Sequence, residues 1–66
     1  MNYVREKITA KEILNHVMTT LENPNVSEVL IDIFDDIVRD FLIEMLRDHK
    51  LNFEITKGNA ILIRKF

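Results

Sequence analysis

Between residues 28 and 48, in EVLIDIFDDIVRDFLIEMLRD, an acid stands at every fourth position: Glu28, Asp32, Asp36, Asp40, Glu44 and Asp48. Two apolar rows run beside it at the same spacing. One holds Val26, Leu30, Phe34, Val38, Leu42 and Leu46, and the other Val29, Ile33, Ile37, Phe41 and Met45. The arrangement reads as one helix over about residues 26–49, capped by Ser27 or Asn25 and released at KLN. Such a helix would be roughly 36 Å long. A step of four residues overshoots a full turn by about 40°, so from Val26 to Leu46 the apolar stripe winds through roughly 200°. No flat neighbour covers both ends of a stripe like that. Either separate elements shelter its two halves, or the helix breaks near Asp35-Asp36 and resets its phase.

The flanking segments supply those elements. Thr9-Ala10-Lys11-Glu12 matches a capping box, and Ile8 and Ile13 are spaced for the accompanying hydrophobic staple. Ile13, Leu14, Val17, Met18 and Leu21 then recur at helical spacing, and Pro24 forces Asn23 out of the helical region. These signals predict a first helix over about 10–22. After residue 49 the period changes to two: Leu51, Phe53 and Ile55 alternate with Asn52, Glu54 and Thr56, and AILIRKF follows the only glycine. That is a β-hairpin, with strands over about 51–56 and 60–66. A three-residue loop at 57–59 would put Phe53, Ile55, Ile61 and Ile63 on one face and turn Leu62 outward. A short N-terminal strand in YVREKI has only weak alternation to recommend it. The predicted class is α+β, two helices followed by a hairpin in a single small domain over 1–66.

A chain of 66 residues lies near the lower limit for folding on one hydrophobic core, and such chains usually carry a staple. With no cysteine, disulfides and cysteine-based zinc sites are excluded. Oligomerisation remains. Read on a winding helix, Ile31 and Ile43 fall far from the apolar centre, and Leu62 and Phe66 also lack cover. Each large aliphatic side chain left in water forgoes about 1.5–3 kcal/mol of burial. Ile31, Ile43, Leu62 and Phe66 are therefore the candidate partner-binding residues, and a twofold homodimer is the expected assembly. No segment approaches the roughly 20 apolar residues that cross a bilayer, and MNYVREKITAKE lacks the apolar run of a signal peptide. A cytoplasmic protein without a membrane role is expected.

Little in the sequence points to catalysis. Pairs such as Asp32/Asp36 and Asp36/Asp40 sit one helical turn apart, but on a winding row no three acids converge. His16 follows Glu12 by one turn and His49 follows Asp48, yet two histidines without cysteine make a poor ligand set. Ser27 and Thr56 lack an adjacent base, and one glycine cannot build a phosphate-cradling loop. The expectation is a protein that is not an enzyme and uses no metal or cofactor.

Charge distribution leaves two further readings. Residues 26–49 hold seven acids against two arginines, while the remainder holds seven basic residues against four acids. Helices followed by a hairpin resemble a winged-helix arrangement, in which Lys57, Arg64 and Lys65 would meet phosphates. An acidic long helix and the lack of a base-reading cluster weigh against this. The acid row could also mimic nucleic acid, as an inhibitor would. Its charge is thin beside duplex DNA, which carries one negative charge per about 1.7 Å. The favoured expectation is a non-catalytic protein–protein interaction module, a small homodimeric regulator or adaptor with an unidentified protein partner.

Overall fold

The computed structural model describes residues 2–65. Its elements run α1 (Val4–Leu21), β1 (Glu28–Asp32), α2 (Asp36–Asp48), β2 (Asn52–Ile55) and β3 (Ala60–Arg64). The class is α+β, with two helices and a C-terminal hairpin. Phe66 lies outside the described residues.

The long helix does not form. Over 26–49 the chain is instead a strand, a short bend and a 13-residue helix. Glu28, Leu30 and Asp32 are exposed while Val29 and Ile31 are half-buried, the period-two pattern of a strand with one covered face. β-Branched Val29 and Ile31 favour extended backbone, and β3 offers them a complete ladder. Asp35 ends the extended run. Its Oδ1 accepts the N–H groups of Ile37 (2.9 Å) and Val38 (3.1 Å), satisfying two of the unpaired donors that open α2. The break near Asp35-Asp36 is therefore real, but what precedes it is a strand. Over the shorter α2, Val38, Leu42 and Leu46 remain on one buried stripe.

α1 begins at Val4, five residues before the expected cap. Thr9 is interior to the helix, and its hydroxyl donates to the Arg5 carbonyl at 2.9 Å instead of capping anything. Ile8 is 53% exposed, so no staple closes. The early start has a tertiary cause: Tyr3 meets the Phe41 ring of α2 edge-on at 6.5 Å, and the Lys7 ammonium lies 5.4 Å from the same ring centre. YVREKI is thus the first part of a helix, not a third strand. Pro24 follows the helix end as expected, with Glu22 as C-cap.

The hairpin has the expected register. Phe53 lies opposite Ile63 and Ile55 opposite Ile61, and the Thr56 N–H donates to the Ala60 carbonyl across the loop at 57–59. Gly58 sits in the loop at φ +83°, a conformation that glycine adopts without cost. β3 is the central strand, antiparallel to both neighbours in the order β1-β3-β2. One face of the sheet carries the core. Ala10, Leu14, Val17 and Leu21 of α1, Val38, Leu42 and Leu46 of α2, and Ile61 and Ile63 of β3 form a single buried cluster with Ile33. The helices pack on each other above that face. They do not shelter two ends of a winding stripe, as expected for one long helix.

Candidate functional site

β1 is an edge strand, and the direction of its free backbone groups follows from its pairing with β3. The Lys65 N–H donates to the Ser27 carbonyl at 2.8 Å, and the Ile33 N–H donates to the Asn59 carbonyl at 3.0 Å. With Val29 opposite Ile63 and Ile31 opposite Ile61, the alternation of an antiparallel ladder turns residues 27, 29, 31 and 33 toward β3. The N–H and C=O groups of Glu28, Leu30 and Asp32 therefore point outward, at an edge where, among the described residues, no further strand pairs.

Beside that edge runs an open groove of about 480 Å³, with Thr9, Glu12, Ile13 and His16 of α1 on one wall and β1 on the other. A second hollow of about 310 Å³ shares Thr9, Ile13 and Asp32 with it and continues toward Arg5 and Phe34. The floor is apolar: Ile13, Val29 and Ile31 pack against the core from its margin. Two large apolar side chains stand free at this edge: Phe34, beside the second hollow, at 78% exposure, and Leu30, on the opposite face of β1, at 62%. Acids outnumber bases around them, with Glu6, Glu12, Asp32 and Asp35 against Arg5, and His16 beside Glu12. Asp35 is engaged at the α2 cap. Among the described residues Asp32 forms no ion pair, whereas Glu28 faces Arg64 at 3.7 Å.

The partner-binding candidates are distributed unevenly about this groove. Ile31 lines it, half-buried. Leu62 lies on the helix-free face of the sheet, directly across from Leu30. Ile43 is half-buried on α2, beside Ile55 at the opposite sheet edge. Leu30 and Phe34, the most exposed large apolar side chains among the described residues, belong to an apolar stripe only if 26–49 is one helix. Strand alternation in EVLID, and Asp35 as a cap after IF, were the signals that would have released them.

The basic residues do not converge. Lys57 is at the hairpin loop and Arg64 at the far end of β3, about 20 Å away along an extended strand. Arg64 faces Glu28, and the Lys65 ammonium donates to the Asn23 carbonyl at 3.0 Å. Among the described residues no three His, Cys, Asp or Glu side chains group closely enough to hold a metal ion. No described helix is long and apolar enough to cross a membrane.

Comparison with protein families, curated proteins and solved structures found no match to this chain. The fold and the groove define its class: a small α+β domain whose edge strand β1 lies open beside α1.

Proposed function

We propose that this protein is a non-catalytic protein–protein interaction module whose binding surface is the groove between α1 and the free edge of β1. The carrying observation is an apolar-floored groove beside the outward-facing backbone groups of β1, with Phe34 exposed next to it and Leu30 exposed on the opposite face of the same edge strand. Exposed apolar side chains scattered singly are ordinary. Here they adjoin a sheet edge, which natural proteins tend to blunt or cover unless it is used. A cytoplasmic setting belongs to the same proposal, on the cysteine-free composition.

The test compares the wild-type chain with a Leu30→Glu/Phe34→Glu variant in affinity capture from the source cell, with molar mass measured by light scattering. Both positions are exposed, so the variant should keep its fold and its circular dichroism spectrum. Proteins, or a second copy, held by the wild type and lost by the folded variant support the reading. Identical capture and mass for both chains would overturn it.

A further inference from the structure

We propose that the groove takes an extended segment of another protein, added antiparallel to β1 as a fourth strand, with three consecutive apolar residues between two basic ones. This rests on the groove reading above and names its ligand.

The backbone supplies the first requirement. Glu28, Leu30 and Asp32 present outward-facing N–H and C=O groups, so an added strand forms its close hydrogen-bonded pairs with those three residues. Residues of the incoming strand opposite Val29 and Ile31 then point to the helix side, into the apolar floor beside Ile13. The residue opposite Leu30 lies on the other face, continuing the cross-strand row formed by Leu30 and Leu62.

Charge supplies the second. Residues opposite Glu28 and Asp32 share a face with those carboxylates, close enough for direct pairing. β3 already shows such a complement on the other side of β1: Ile61, Leu62, Ile63 and Arg64 lie opposite Ile31, Leu30, Val29 and Glu28. The same acids disfavour a second copy. A twofold β1–β1 pairing centred on Leu30 sets Glu28 against the partner's Asp32 twice, and like charges directly opposite are destabilising. Sliding by two residues sets Leu30 against a carboxylate instead. A basic heterologous strand has neither defect.

The experiment titrates the unmodified protein with a labelled peptide carrying Lys-Val-Leu-Val-Lys within a Gly/Ser frame, followed by fluorescence anisotropy at low salt. Saturable binding is expected, about tenfold or more weaker for Glu-Val-Leu-Val-Glu. N-methylation of the central leucine removes the donor to the Leu30 carbonyl and should cost about tenfold or more. N-methylation of the first valine, whose N–H faces away from β1, should cost much less. Amide exchange at Leu30 and Asp32 should slow with bound peptide, and Asp32→Lys, which leaves Glu28 in place, should abolish most of the charge preference. Equal binding of the two charge forms, or of the two N-methylated forms, would overturn strand addition. So would absence of binding while Leu30→Glu/Phe34→Glu still abolishes capture of a partner, a result that leaves the groove reading standing. A concentration-dependent dimer protecting the Leu30 amide without peptide would also overturn it, making a second copy the occupant.

Discussion

Asp35 accepts the backbone N–H of Val38 through its side chain at 3.1 Å, three residues after the last strand position of β1. This bond, with its companion from Ile37, marks where a period-two chain becomes a helix. Replacing Asp35 by alanine should therefore lower stability by about 1 kcal/mol, within roughly 0.5–2 kcal/mol. Asparagine should recover most of the loss. Urea unfolding followed by circular dichroism measures both.

Lys50 follows the C-cap of α2 at φ +57°. The Leu51 N–H bonds to the Leu46 carbonyl and the Lys50 N–H to the Arg47 carbonyl, both at 3.0 Å, the pairing of a Schellman motif. A side chain in this left-handed conformation is strained by roughly 1–2 kcal/mol. Part of the gain from removing it is offset by the greater freedom of glycine in the unfolded chain, about 0.4–1 kcal/mol. Lys50→Gly should raise stability by about 0.5 kcal/mol or more. Gly58→Ala should have the opposite sign, although space for a methyl group is open there. Paired thermal melts would show whether the two substitutions move in opposite directions.

Hydrogen exchange provides a direct test of β1. Amides of Val29, Ile31 and Ile33 should be protected by β3, and those of Glu28, Leu30 and Asp32 should exchange fast. Uniform protection across 28–34 would indicate a helix and refute the edge assignment.

Leu42 and Leu30 should differ sharply in their response to truncation. Leu42 is fully buried and Leu30 is 62% exposed. Leu42→Ala is expected to cost about 2–5 kcal/mol, a large share of the roughly 3–10 kcal/mol available to a chain this size. Leu30→Ser should change stability by less than about 1 kcal/mol while weakening partner binding. Denaturant midpoints for the two variants give the comparison.

Much of the hairpin was legible because its cues are local. Alternation in LNFEIT and AILI, with Gly58 between, specifies strands, turn and register within about 15 residues. The end of α1 was legible for a similar reason, since Pro24 acts through its own ring. The start of α1 was not, because the decisive contacts of Tyr3 and Lys7 with Phe41 join residues far apart in sequence.

The acid row misled for a definite physical reason. A spacing of four is two repeats of a strand and slightly more than one turn of a helix. Glu28 and Asp32 obey the first period, on the outer face of β1, while Asp36, Asp40, Glu44 and Asp48 obey the second along α2. Composition and local pattern by themselves determined an α+β chain without disulfides, with α2's buried stripe and the hairpin's inner face already marked. Only the tertiary structure decided that VLI would be a strand: β3 supplied the ladder that its backbone groups required. That choice released Leu30 and Phe34 from the core and left β1 as an edge. Neighbours distant in sequence decide between two periods that a single row of residues satisfies equally.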